Sequence, residues 1–398
     1  MVSHNRWGRL SEAGTFEDES GHTAMNNPTP LPTSPSRRAL LLAAALAPTH
    51  PLLAQPVELS SHTLGDGLEY PWAVAHLPDG SFLITERPGR MVLASANGRR
   101  SVVAGLPPVH ASGQGGLLDV ILSPGFERDR LVYWSCAEKT DSGARTAIFR
   151  AELQGNALRQ VQRVFAQRQD PSGRLHFGSR LAFAPSGHLF ITTGDRYSER
   201  DQAQNPNSHL GKVIRLQADG SVPADNPFTA GGGAPEVFSL GHRNLQGLAV
   251  HPSTGAIWAH EHGPQGGDEV NQIMAGRNYG WPRATFGKEY VTGFAIGEGT
   301  QLAGMADPAH VWVPSIAPSG MAWLTQAAPG AWSSSLVVGA LKGRCVVRLR
   351  PNPSGGFRET RFTLTGEPRV RDVRAFGSKS LLVLTDEPRG RLLRIDLS

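Results

Sequence analysis

One phrase recurs along this chain and restricts what it can fold into: an apolar residue, Pro, a polar residue, Gly, one further residue, then three or four apolar residues. It reads Leu77-Pro78-Asp79-Gly80-Ser81-Phe82-Leu83-Ile84, returns as Ala184-Pro185-Ser186-Gly187-His188-Leu189-Phe190-Ile191 and as His251-Pro252-Ser253-Thr254-Gly255-Ala256-Ile257-Trp258, and has a degenerate copy in Phe376-Gly377-Ser378-Lys379-Ser380-Leu381-Leu382-Val383-Leu384. Pro and Gly set a tight turn, and the apolar run behind it suits a strand. A second strand follows a Gly turn in Pro88-Gly89-Arg90-Met91-Val92-Leu93 and in Arg389-Gly390-Arg391-Leu392-Leu393-Arg394-Ile395. Small antiparallel sheets repeated every roughly 40–50 residues are the blades of a β-propeller. The copies are unevenly spaced, so the blades must carry long loops, where sites commonly lie. The length allows about six to eight blades.

Composition agrees. The 398 residues include 46 Gly and 30 Pro with only 18% charged residues, a mixture for short strands and turns rather than a helical bundle. The net charge of +5 is carried without a long basic run, which argues against a nucleic-acid or membrane-surface partner. No apolar run is long enough to span a bilayer. Cys136 and Cys345 lack metal-ligand spacing and are either one disulfide or two buried thiols. Residues 1–24 are polar and irregular and read as an extension ahead of a second start at Met25. Residues 25–54 then read as a signal peptide: Ser36-Arg37-Arg38 is its charged part and Ala39 to Ala47 its apolar part, with a small-residue stop before Gln55. The Arg pair resembles a twin-arginine export signal, although an ordinary secretory signal has the same outline. Both place the mature protein outside the cytoplasm, in the periplasm, and no Cys follows to carry a lipid anchor. Residues 56–398 read as one domain.

Several segments carry groups suited to chemistry. His262-Gly263-Pro264-Gln265-Gly266-Gly267-Asp268-Glu269-Val270-Asn271 bends sharply at Gly-Pro and can turn carbonyls toward one point, with carboxylates nearby, as calcium requires; read alone it is equally a solvated turn with an acidic tip. His176 sits in a strand-like stretch, Gly173 to Leu181, flanked by small residues. It is either structural or an accessible general base. Arg243 and Asn244 stand side by side after Gly241-His242. In Pro368-Arg369-Val370-Arg371-Asp372 the two arginines share one face if the segment is a strand, which suits a polycarboxylate or phosphate; a surface ion pair is the plainer use. Lys342 directly follows an apolar strand ending in Gly339-Ala340-Leu341. Gly113-Gln114-Gly115-Gly116-Leu117-Leu118-Asp119 is a glycine-rich turn without nucleotide-binding spacing.

These segments, with Gly211-Lys212-Val213-Ile214-Arg215-Leu216, Pro223-Ala224-Asp225-Asn226-Pro227-Phe228, Asn278-Tyr279-Gly280-Trp281-Pro282 and Arg369-Val370-Arg371-Asp372-Val373, resemble the soluble glucose and aldose sugar dehydrogenases that use pyrroloquinoline quinone (PQQ), from about Tyr70 to the C-terminus. The resemblance implies an all-β, six-bladed propeller of four-stranded antiparallel blades. It implies oxidation of aldoses at C1 to lactones, with His176 as general base and hydride passing to PQQ. Arg243 and Asn244 would hold the quinone oxygens, and Arg243 would also stabilise the charge that develops there. Lys342, Arg369 and Arg371 would pair with the carboxylates of PQQ, with Ala340 and Leu341 alongside, and Gln114 would lie beside cofactor and sugar. The carbonyls of Gly263 and Pro264 would bind one Ca2+, while Glu269 and Tyr279 would help bind a second. The family includes monomers and dimers, and the electron acceptor, a quinone or a cytochrome, is not specified. Leu175 departs from the pattern where glucose-specific members carry Asp. Ser179 replaces a common Gly, and Leu245 replaces a common Pro. Two other readings compete: a non-catalytic binding propeller, and a calcium-dependent lactonase-type hydrolase, which gives Lys342, Arg369 and Arg371 no use.

Overall fold

Six sheets of four antiparallel strands follow one another along the chain, as a six-bladed propeller requires. The computed structural model describes residues 57–95 and 98–398; the extension expected over 1–24 and the signal peptide expected over 25–54 lie outside them. Blade 1 has strands Pro71–His76, Phe82–Glu86, Arg90–Ala94 and Arg100–Val102, and blade 2 has Leu117–Leu122, Leu131–Lys139, Ala144–Gln154 and Ala157–Ala166. Blade 3 has Gly178–Phe183, Leu189–Thr193, Lys212–Leu216 and Val237–Leu240, and blade 4 has Leu245–Val250, Ile257–Glu261, Asp268–Ile273 and His310–Trp312. Blade 5 has Pro318–Trp323, Leu336–Ala340, Cys345–Pro351 and Phe357–Leu364, with Val57–Leu59 added in parallel at its edge. Blade 6 takes Val370–Phe376, Ser380–Thr385 and Gly390–Asp396 from the C-terminus and Ser61–Leu68 from the N-terminal side, so the ring is closed by pairing across the chain.

The alternation within each strand explains the ring. Leu336 and Val338 pack toward blade 4, while Val337 between them packs toward blade 6. Likewise Leu381 and Val383 face blade 5, and Leu382 and Leu384 face blade 1. Both faces of a blade are therefore covered by apolar neighbours, which is why these strands read as continuous apolar runs rather than as half-polar ones. Each fully buried Leu or Val contributes about 1.5–3 kcal/mol.

The recurring turns have one structural meaning. All four copies connect the first strand of a blade to its second, in blades 1, 3, 4 and 6. Antiparallel pairing places them at one end of the ring. The loops entering the first strands, and those joining second to third strands, lie at the other end. The described residues include no helix long and apolar enough to cross a membrane. Cys136 and Cys345 are free and buried in blades 2 and 5, and burial pushes their thiols up to about 12 and about 11.

Candidate active site

A cavity of about 300 Å³ is lined by residues of all six blades, among them Trp72, Gln114, Phe177, Asn244, Leu341 and Arg371. It opens at the end of the ring opposite the repeated turns, since its loop residues come from the loops entering the first strands and from those joining second to third strands. Below it a charged network closes the channel. Arg180, 2% exposed, bonds Asp372 at 2.8 Å and Asp119 at 3.4 Å and lies 4.1 Å above the Trp72 ring. Arg374 bonds the same two aspartates, and the aspartates also accept the backbone N–H groups of Val74 and Leu181. Groups from several blades are thus fixed beneath the cavity floor.

The cavity wall is cationic: Arg87, Arg369 and Arg371 face a single carboxylate, Asp386. Asp386 bonds Arg369 at 2.9 Å and Arg371 at 3.2 Å. Burial alone would raise its carboxyl, but Arg371 and Arg369 outweigh this and hold it below the usual range. Both arginines line the cavity, although the strand begins only at Val370 and shifts register before Asp372, so simple alternation does not place them. Nε of Arg371 and Nε of Arg243 are buried without a partner, so donors remain for an anionic or quinonoid ligand.

His176 lies in the turn before blade 3 at φ 52°, not within a strand, and is 5% exposed. Its Nδ1 is 2.7 Å from Asp195, a residue the motif reading did not single out. Asp195 also accepts Trp281 Nε1–H at 2.8 Å and the Tyr197 backbone N–H at 2.8 Å. Two glycines permit this meeting: a Cβ on Gly194 would stand 2.1 Å from the His176 carbonyl oxygen, and one on Gly178 2.7 Å from the backbone of residues 193 and 194. As Asp195 is acceptor-only, Nδ1 carries the proton and Nε2 is left as the basic nitrogen. Burial lowers the His176 pKa, Arg243 lowers it further, and the Asp195 bond opposes only part of the shift, so the imidazole is neutral at neutral pH. Gln114 orients the same turn by accepting the His176 N–H at 2.8 Å, and Asn244 Oδ1 accepts the Gly178 N–H at 3.2 Å.

Arg243 Nη1 donates to the carbonyls of His262 and Gly263 at 2.9 and 2.8 Å. The loop between the second and third strands of blade 4 thus does turn its carbonyls inward. Asp268 supplies no free carboxylate: its oxygens accept Gly263 N–H, Ile316 N–H, Ala317 N–H and the Ser315 hydroxyl, which staples the loop. His262 lines the cavity with burial pushing its pKa down to about 3. Beside this loop, Glu261 and Glu269 pair across adjacent strands around a void of about 10 Å³, with the side-chain oxygen of Asn271 buried and unpartnered. Burial and the Glu261 charge raise the Glu269 carboxyl well above its usual range, a conflict that a cation would relieve. Tyr279 also lines that void, and its hydroxyl is already committed, donating to the Gln272 carbonyl and accepting the Met274 N–H. Among the described residues no three His, Cys, Asp or Glu side chains converge as a metal site, so a cation here depends on carbonyl and amide oxygens too.

Two further expected groups sit elsewhere. Lys342 is exposed on the turn beyond Leu341 and does not line the cavity; Leu341 does. Ala340 is fully buried in its strand, paired with Pro318 and Cys345, and is also outside the lining.

Residues 68–394 match the family model described as Glucose / Sorbosone dehydrogenase. The chain belongs to this family. Relatives named as sugar dehydrogenases match the chain over nearly their full length, which supports an oxidoreductase acting on sugars. Aldose sugar dehydrogenase YliI of Escherichia coli (strain K12) is 39% identical, the match covering 90% of this chain and 98% of the relative. A crystal structure of a glucose dehydrogenase is 42% identical with a TM-score of 0.82, covering 85% of this chain and 100% of that one. The PQQ-bound form of an aldose sugar dehydrogenase from Streptomyces coelicolor is 30% identical with a TM-score of 0.70, covering 86% and 99%. The matched residues, 68–394, span strands of every blade that lines the cavity.

Proposed function

We propose that this chain is an exported, PQQ-dependent aldose dehydrogenase that oxidises C1 of the sugar to a lactone. The observation that carries the reading is the cationic axial cavity, with the partnerless Nε of Arg371 in its wall and the His176–Asp195 pair and Arg243 beside it. PQQ is a flat tricarboxylate, and the residues fit it: Arg369, Arg371 and Arg87 for carboxylates, and Trp72, Phe177 and Leu341 for the apolar faces. When bound, the cofactor supplies an electrophilic quinone carbon that accepts hydride. His176 Nε2 takes the proton of the anomeric hydroxyl, and Asp195 stabilises the imidazolium that results. Arg243 and Asn244 offer donors toward the quinone oxygens, where the Arg243 charge offsets negative charge as it develops. The carbonyls of Gly263 and Pro264 would hold one Ca2+; the Gly263 oxygen already accepts from Arg243, so the cation would use its second lone pair. Glu269 with Asn271 would hold another Ca2+.

The test is dye-coupled oxidation of an aldose panel by purified protein reconstituted with PQQ and Ca2+. The proposal requires turnover that depends on PQQ and yields the lactone or its hydrolysed acid. Equal turnover without PQQ, or hydrolysis of a lactone in place of oxidation, would defeat it.

A further inference from the structure

Lys212 opens the third strand of blade 3, is fully buried, and does not line the axial cavity. Its Nζ donates to three carbonyls, those of Gln202 at 2.8 Å, Ala203 at 3.0 Å and Leu210 at 2.6 Å. An ammonium has three N–H donors, so all of them are used. Taking such a charge out of water is costly, and a Met would fill the same space without that cost. The ammonium therefore serves the carbonyls it holds. Burial, with no carboxylate opposing it, pushes its pKa down to about 7. The His176 pKa is lowered from an ordinary value of 6.5, so Lys212 is charged over the range in which His176 titrates.

Two of the three carbonyls close a short 3-10 turn, Arg200–Gln204, in the loop between the second and third strands of blade 3. The last carbonyls of such a turn have no partner within it, and a cation there satisfies them. From the turn, contact runs to the catalytic pair by two routes. Gln204 Nε2 donates to the Trp281 carbonyl at 2.7 Å, and Trp281 Nε1–H is the donor that holds Asp195 Oδ2. On the other side, the Ala203 carbonyl also accepts the Gly241 N–H at 2.9 Å, and the Asp195 N–H donates to the Arg243 carbonyl at 2.7 Å. The approach is close: a Cβ on Gly211, beside Lys212, would stand 2.2 Å from the His242 carbonyl oxygen and 2.8 Å from Ala203 Cβ. The turn is thus locked between Lys212 and the segment that carries Arg243.

We infer that Lys212 is a positioning residue for the His176–Asp195 pair: its ammonium clasps the Arg200–Gln204 turn, and the turn, through Gln204 and Trp281, sets Asp195 against His176. The consequence for turnover rests on the aldose-dehydrogenase reading of the axial site. Two variants test it. Lys212→Met keeps the length of the side chain and removes its donors; Gln204→Ala leaves Lys212 in place and cuts the link to Trp281. In the PQQ- and Ca2+-loaded enzyme each lowers kcat by about tenfold, with KM and PQQ affinity kept within about twofold. His176 of the full chain, followed by NMR of its labelled ring nitrogens, titrates at lower pH in each variant than in wild type, because the Asp195 bond that raises its pKa is weakened. A residue that only supports the fold lowers the melting temperature and leaves that titration where it was. Should Lys212→Met fail to fold, Gln204→Ala gives both readings at a side chain that is only partly buried. Unchanged kcat, or a lower kcat with the His176 titration unmoved, overturns the positioning role while leaving the dehydrogenase reading intact. Absence of aldose oxidation by wild type overturns the dehydrogenase reading, and the His176 titration still decides the role of Lys212.

Discussion

Replacing Asp195 by Asn keeps the shape of the side chain and removes its charge, and the structure says what that does. Asp195 accepts three donors and gives none: His176 Nδ1–H and Tyr197 N–H on Oδ1, Trp281 Nε1–H on Oδ2. An Asn has one accepting oxygen and one NH2 group. If its oxygen keeps His176 and Tyr197, the NH2 faces the Trp281 N–H. If the amide is flipped, the NH2 faces the Tyr197 N–H, and His176 must move its proton to Nε2, the nitrogen that serves as base. Either arrangement leaves one buried donor unsatisfied, costing about 1–3 kcal/mol. In either case the imidazolium formed during turnover loses its counter-charge. With general-base catalysis worth about 10²–10⁴-fold, kcat should fall by that order while PQQ binding persists. Dye-coupled kinetics and thermal unfolding measure both effects. A variant retaining kcat within about threefold of wild type would refute the role given to the pair.

Four other outcomes follow from the same geometry. Because burial lowers the His176 pKa, its base form is lost only as pH falls below the ordinary histidine value of about 6.5, so the acid limb of kcat/KM against pH lies below that value; a limb well above it contradicts the assignment. Asp372→Ala leaves two buried arginines, Arg180 and Arg374, to share Asp119 alone and should lower stability by about 3–5 kcal/mol in denaturant unfolding. Arg371→Gln should weaken PQQ binding by about tenfold or more in an absorbance titration, whereas Lys342→Ala, exposed and off the lining, should change it far less. Glu269 takes up its proton more readily folded than unfolded, so in chelator stability falls as pH rises above the usual carboxylate range; Glu269→Gln should remove that loss, together with any stabilisation by added Ca2+.

Much of this architecture was legible in the sequence, because propeller blades repeat their turns. Blades 2 and 5 escaped because their corresponding connections are expanded. In blade 2, Ser123-Pro124-Gly125 is followed by a helical turn over Phe126–Asp129, and blade 5 crosses residues 324–335 with a turn at Gly330–Trp332. Repetition alone therefore could not count the blades. The axial arginines were readable as a closely spaced pair, although Arg369 precedes the strand that carries Arg371 and a register shift follows at once. Asp195 was not readable: nothing local distinguishes it, and only the close approach of Gly178 and Gly194 brings it to His176. The Gly-Asp pair ending a strand was the one available hint. For Lys342, the place after an apolar strand fixed the turn but not the direction of a long side chain, which is exposed and off the cavity lining. Asp268 shows a third limit: a carboxylate in a bent loop suggests a metal ligand, yet the Gly263 N–H of that loop and donors from the segment entering blade 5 consume it.

The most direct test begins with the apoprotein and Ca2+, titrated with PQQ while the quinone absorbance is followed, after which an aldose is added without oxygen. The account predicts saturable binding and loss of the quinone band in wild type. In His176→Ala it predicts comparable binding and a band that persists. Failure of wild type to bind PQQ, or equally fast loss of the band in His176→Ala, would contradict it.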